Sequence, residues 1–183
     1  MNITIRQLTE DDWFEFSRIR LKSLLTDPKV FGSNYEKESQ MTEAEWRSRL
    51  QAKDNAIFLI YKDETPIGIT CVSVDREDAT QKTALLWGSW LAPDFRGKGL
   101  SELMYRTRIH WAKRQPTVEK IIVSHRASNT SSKYANQKHG FIATRKIEKV
   151  WTDGRTEDEI FYELKIKPCD IIRFSNLKFG ECD

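Results

Sequence analysis

The chain has 183 residues, 39% hydrophobic and 31% charged, with a formal net charge of +3 at pH 7. That length suits one domain with a core of its own, and so small a charge, with basic residues spread along the chain, speaks against a nucleic-acid face. No apolar run reaches the length of a membrane span, and the opening residues lack the basic and then apolar pattern of a signal peptide.

In chain order, Ile3 to Leu8 alternates as a first strand. Thr9 then caps a helix with acids in its first turn. Trp13, Phe16, Ile19, Leu24 and Leu25 are its expected buried side, and Asp27-Pro28 ends it. Residues 28 to 41 read as a polar connection with turn formers Gly32, Ser33 and Asn34. It carries Phe31 and Tyr35, which suit a binding wall, and Glu36 and Glu38, which suit a cationic amine. Thr42-x-x-Glu45 is a capping box opening a short helix to about Leu50. Ala56 to Tyr61 and Ile67 to Val74 form a hairpin around Asp63 to Pro66, and Asp75 to Lys82 is a charged tip.

The next stretch is the most informative. Ala84 to Leu91 reads as a buried strand, stopped by Pro93, which cannot donate to a ladder. Arg96-Gly97-Lys98-Gly99-Leu100-Ser101 follows, and then Leu100, Leu103, Met104, Thr107 and Trp111 recur at helical spacing. A glycine loop at a helix start turns amide N–H groups outward and makes an anion site. It is neither a Walker loop nor a dinucleotide fingerprint, because both lack their further residues here. Val118 to His125 is another strand, Ser128 to Lys138 a short helix capped by Ser128 or Asn129, and Gly140 a left-handed residue that closes it. Ile142 to Trp151 and Glu159 to Ile166 form a last hairpin around Asp153-Gly154. Residues 1–167 make one domain. The extension 168–183 is apolar enough to pack on the domain or on a partner. Cys71, Cys169 and Cys182 are widely spaced, and His110, His125 and His139 are not at ligand spacing. This predicts reduced thiols, a cytoplasmic setting and no metal.

The element order β-α-α-β-β-β-α-β-α-β-β is α/β with a mixed sheet. Leu91-Ala92-Pro93 followed by Arg96-x-x-Gly99-x-Ser101 resembles the acyl-CoA signature of the GNAT superfamily (GCN5-related N-acetyltransferases), with Ser101 in place of a glycine or alanine. Asn129 and Gly140-Phe141 stand where that family has its asparagine and Gly-Phe, and the element order is similar to the GNAT fold across residues 3 to 166. The resemblance implies fourth and fifth strands that splay, with pantetheine in the gap. The backbone of Trp90 and Leu91 would pair with the pantetheine amides. An N–H there, assigned to Leu91, would polarise the thioester carbonyl. Amides of Arg96, Gly97, Lys98, Gly99, Leu100 and Ser101 would hold the pyrophosphate, and Asn129 would reach the pantetheine arm.

The chain departs from the family at its acid–base positions. Many members place a tyrosine seven residues after the motif asparagine, where this chain has Asn136. Ser124 stands at a position that holds a glutamate in some members. Tyr134, as proton donor to the thiolate, and His125, with an ordinary pKa near 6.5, are the remaining candidates for catalysis, beside Leu91. Tyr35, Glu36 and Asn136 are the candidates for holding the acceptor. The expected function is acetyl-CoA-dependent N-acetyltransfer to a primary amine of a small molecule by direct transfer (an acyltransferase, EC 2.3.1.-). A protein or peptide amine acetyltransferase and a non-catalytic acyl-CoA-binding module are the alternatives. The expected partners are acetyl-CoA and an amine acceptor, without nucleic acid, membrane or metal, and self-association as a homodimer is left open.

Overall fold

The continuous apolar runs become strands covered on both faces. A computed structural model of the chain describes residues 2–167, so the expected 168–183 extension lies outside the described residues. Its strands are β1 (Ile3–Gln7), β2 (Asn55–Lys62), β3 (Thr65–Val74), β4 (Thr83–Leu91), β5 (Lys120–Arg126), β6 (Ile142–Val150) and β7 (Thr156–Lys165). They form one sheet in the order β1-β2-β3-β4-β5-β7-β6. Every neighbouring pair is antiparallel except β4 with β5, which run parallel. Parallel neighbours need a crossover, and helix α4 (Leu100–Lys113) supplies it.

Alternate residues of β2 point to opposite faces, and each face has its own core. Ile57, Leu59 and Tyr61 pack with Phe16, Ile19 and Leu24 of α1 (Trp13–Thr26) and with Trp46. Ala56 and Phe58 pack with Tyr105 and Ala112 of α4 and with Ile121, Val123 and Tyr162. β7 alternates too, since Ile160, Tyr162 and Leu164, with Ile166 just beyond the strand, all join this second core.

Local signals set most of the element ends. The Thr42 N–H donates to Glu45 at 2.7 Å and the Glu45 N–H to the Thr42 hydroxyl at 3.3 Å, the reciprocal cap of α3 (Glu43–Gln51). The Asn129 carboxamide accepts from the Ser132 N–H at 3.1 Å and caps α5 (Thr130–Lys138). Gly140 has the expected positive φ, +80°.

Three expectations change. The 28–41 connection contains a one-turn helix, α2 (Tyr35–Glu38), capped by Asn34, which accepts from the Lys37 N–H at 2.9 Å. Leu25 is 61% exposed and lies off the inward face of α1. Glu38 is no solvated attractor of amines: it is buried, and its carboxylate takes 3.0 and 2.8 Å hydrogen bonds from Arg20 and one of 3.2 Å from Arg49. Cys71 is free and buried, and burial pushes its thiol up to about 12. No described helix is long and apolar enough to cross a membrane.

The Arg20–Glu38 pair ties α2 to α1. Burial pushes the Glu38 carboxyl up, but the hydrogen bonds and charge of Arg20 outweigh it, and the net shift is downward. Removing one member of such a pair strands the other. Glu38→Gln should therefore lower the unfolding free energy at pH 7 by about 3–5 kcal/mol, read by urea denaturation. The contribution is complete above the ordinary carboxylate range and is lost as pH falls through the lowered pKa. The gap between wild type and Glu38→Gln should accordingly close in acid, and a gap independent of pH would contradict the ionic account.

Candidate active site

The site begins with one extra residue in β4. Ile69 pairs with Trp90 and Cys71 with Trp87, so two residues of β4, Gly88 and Ser89, face the single Thr70 of β3. Gly88 has φ +62°, which favours glycine. A bulge of one residue reverses the alternation beyond it. Trp90 thereby joins Trp87 in the α1-side core. Ser89 turns the other way, toward α4, and its hydroxyl accepts a 2.7 Å hydrogen bond from Arg108.

The parallel pairing of β4 with β5 runs only from Thr83–Lys120 to Leu86–Val123. Beyond it β4 continues to Leu91 and β5 to Arg126 without pairing to each other. The Ala92 N–H donates to Ile67 on the β3 side at 2.8 Å. Amides alternate along an extended chain, so the Leu91 N–H is turned into the gap.

After Pro93 the loop reaches α4 through Gly97 and Gly99, with φ +71° and +79°. Gly99 is the N-cap of α4, and a Cβ on either glycine would meet nothing within 4 Å. The two ends of this loop, Arg96 and Ser101, line a cleft of about 620 Å³. Arg96 is held from below: its Nε donates to the Leu91 carbonyl at 2.9 Å and its Nη atoms to Asp27. The Trp90 indole donates to the same carboxylate at 2.7 Å. Lys98 rests over the Phe95 ring, 5.4 Å from its centroid.

The opposite wall comes from β5, α5 and the β6–β7 turn. Asn129, Ser132 and Ala135 line it, and so does Arg126, which donates to Asp153 at 2.9 Å and also to Glu157. Ser89, Tyr105 and Arg108 also line the cleft. The Tyr105 hydroxyl donates to the Asn136 carboxamide. Its ring stacks on His139 at 4.1 Å, and burial pushes the phenol up and the His139 imidazole down.

The expected cofactor residues are thus gathered in one place: Trp90, Leu91, Arg96, Ser101 and Asn129 line the cleft, and Gly97, Lys98 and Leu100 complete the loop between Arg96 and Ser101. The expected acid–base and acceptor residues are not. Tyr134 is 70% exposed on α5 and lies outside the cleft lining. His125 is buried in the sheet, stacked on Tyr162, with Nδ1 2.7 Å from the Arg126 carbonyl. Asn136 is fully buried behind Tyr105. Tyr35 packs on the α1-side core and Glu36 is exposed, both away from the cleft. A second groove of about 1060 Å³ runs past Glu38, Trp87 and Phe161 and contains none of the loop residues. Among the described residues no three His, Cys, Asp or Glu side chains are grouped to hold a metal.

Tyr105 and Arg108 escape a search for helical apolar spacing. The buried face of α4 is Met104, Tyr105, Arg108 and Ala112; of the expected stripe Leu100, Leu103, Met104, Thr107 and Trp111, Met104 is on that face and Leu100 and Trp111 flank it. A charged residue at the centre of the inward face is what hides part of that face.

Known proteins share this fold. The acetyltransferase (GNAT) domain model matches residues 2–142. No curated protein sequence matches the chain. Among solved structures, a GNAT-family acetyltransferase from Streptococcus pneumoniae superposes with a TM-score of 0.78 at 18% identity, over 90% of this chain and 99% of that one. A putative acetyltransferase from Salmonella typhimurium, solved with its cofactor acetyl-CoA, gives 0.74 at 18% identity over 89% and 93%. The ribosomal-protein-S18-alanine N-acetyltransferase of Escherichia coli gives 0.66 at 19% identity over 97% and 100%. With a bulged and splayed β4, a glycine loop at the start of α4 and a domain match over most of its length, the chain belongs to the GNAT acetyltransferase family.

Proposed function

We propose that this protein transfers the acetyl group of acetyl-CoA directly to a primary amine of a small molecule. The observation that carries the reading is the gap between β4 and β5, with the Leu91 N–H turned into it. A pantetheine arm fits there as an added strand, and the same N–H stabilises charge that develops on the thioester oxygen. Open space around Gly97 and Gly99 suits a pyrophosphate held by backbone amides, and Asn129 faces the arm from the other wall. Acetyl-CoA supplies the activated acyl group.

For the proton to the departing thiolate we assign Tyr105 in preference to Tyr134. Tyr105 lines the cleft, and its hydroxyl is bonded to Asn136, the residue at the family's tyrosine position. The phenol thus comes from α4 instead of α5. The cleft carboxylates Asp27, Asp153 and Glu157 are engaged by Arg96 and Arg126, so we assign none of them as base, and the amine gives its proton to water. A protein amine is the second reading. The likeness to the ribosomal-protein-S18-alanine N-acetyltransferase favours it, and a panel of small amines against N-terminal peptides, scored by released CoA thiol, separates the two. Cys71, free and buried among the described residues, supports a cytoplasmic setting.

Saturating acetyl-CoA should raise Tm by linkage, and Gly99→Glu should remove the rise, because a carboxylate at φ +79° strains the loop and repels phosphate. A Tm unmoved by acetyl-CoA would overturn the donor assignment. Tyr105→Phe should lower kcat by about 10²–10⁴-fold with acetyl-CoA affinity little changed, while Tyr134→Phe should leave kcat as in wild type. The reverse result would move the proton donor to α5. The rate should rise with pH as the amine loses its proton, since a lysine-like amine has a pKa of about 10.4.

A further inference from the structure

Three arginines are buried in this domain: Arg20, Arg108 and Arg126. Two of them have carboxylates. Arg20 holds Glu38, and Arg126 holds Asp153 and Glu157. Arg108, at 1% exposure one of the most deeply buried side chains in the domain, pairs with no carboxylate among the described residues. Its Nε donates to the Met104 carbonyl at 3.1 Å and its Nη1 to the Ser89 hydroxyl at 2.7 Å. The guanidinium lies over the Tyr105 ring, 4.8 Å from the centroid. These partners are neutral. Burying an uncompensated charge is costly, and a guanidinium does not escape the cost by losing its proton. Burial nevertheless pulls its pKa down, which reflects the same unfavourable setting.

Arg108 also lines the cleft, beside Ser89 and Tyr105. Ser89 is the exposed bulge residue two positions before Leu91, so the cation stands at the end of the cleft where the acyl group and the amine meet. The Ser89 hydroxyl is further fixed by Thr70 at 3.0 Å, and this holds the guanidinium in one orientation. A planar fork of N–H donors on a buried guanidinium matches a carboxylate. Of the other cleft cations, Arg96 and Arg126 already have acids, and Lys29 and Arg155 are exposed to solvent.

We propose that Arg108 is the receptor for a substrate carboxylate at the reactive end of the cleft. This rests on reading the cleft as an acyl-CoA site and narrows the substrate class. The carboxylate has two chemical sources: a dicarboxylic acyl chain on the donor, or the carboxylate of an amino-acid acceptor.

Binding to the full chain tests this without a known reaction. In one arm, the affinities of acetyl-CoA and succinyl-CoA are compared by calorimetry and by the rise in Tm. In the other, with CoA saturating, α-amino acids are compared with their amides. Arg108→Met and Arg108→Lys are measured beside wild type. The expected result is a preference of roughly ten- to hundred-fold for the carboxylate-bearing member in one arm, the size of a hydrogen bond to a charged group. Arg108→Met should abolish the preference and still bind acetyl-CoA, and Arg108→Lys should keep part of it. Preference in the donor arm identifies the acyl chain, and preference in the acceptor arm identifies the amine. If acetyl-CoA binds and both arms are flat, or if the preference survives in Arg108→Met, the proposal is overturned while the acyl-CoA reading stands. If no CoA ester binds wild type, both fall. Should Arg108→Met fail to fold, the wild-type preference and its weakening in Arg108→Lys decide, and a flat wild type overturns the proposal.

Discussion

The bulge at Gly88 and Ser89 is the constraint on which the site depends. Before it, Ala84 and Leu86 of β4 face α4; after it, Trp90 faces α1. One added residue thereby does three things. It anchors the end of β4 through Trp90 in the opposite core, it presents Ser89 to Arg108, and it coincides with the end of pairing to β5. Unpaired backbone amides in a sheet interior are unfavourable, so a gap of this kind persists only where the strand is fixed independently from its other edge and its other face. Hydrogen bonds to β3 and the Trp90–Asp27 contact provide that fixing.

Asp27 extends the same logic to the loop. One carboxylate at the end of α1 receives the Trp90 indole and the Arg96 guanidinium. The close of α1, the end of β4 and the start of the glycine loop are therefore a single hydrogen-bonded unit. The cleft charges are arranged unevenly around it. Arg96 and Arg126 are balanced by acids, and Arg108 in the interior is not. Balanced charges fix geometry, whereas a buried unbalanced one is available to a ligand; the exposed Lys29 and Arg155 are balanced by water instead.

Much of this was legible in the chain itself. Runs such as Ala56 to Tyr61 have few alternatives to a buried strand, and Thr42-x-x-Glu45, Asn129 and Gly140 mark element ends by local chemistry that does not depend on distant partners. The glycine loop was legible because its conformation is written into its own residues. Features that depend on non-local pairing were not. Nothing near Glu38 in sequence announces Arg20, 18 positions earlier, as its partner. The inward place of Tyr105 and Arg108 on α4 is not legible, because they look like surface or edge residues until the bulge brings Ser89 against Arg108. Tyr134 and Tyr105 are both tyrosines on helices that bound the site, and only the packing of those helices shows which of them enters the cleft.

The outer strands carry a separate consequence, for solubility. The sheet ends in β1, five residues long, and in β6, nine residues long with Ile142, Ile147 and Val150 exposed. A long exposed edge with apolar side chains is a template for strand addition by another chain. Here the edge is interrupted by a register shift between Ala143 and Arg145. Its cations are spent on the neighbouring strand: Lys146 on Asp158, Lys149 on Glu159, and Arg145 over the Phe161 ring. An incoming strand would meet a kinked backbone and a row of charge, so edge-to-edge aggregation is opposed along β6.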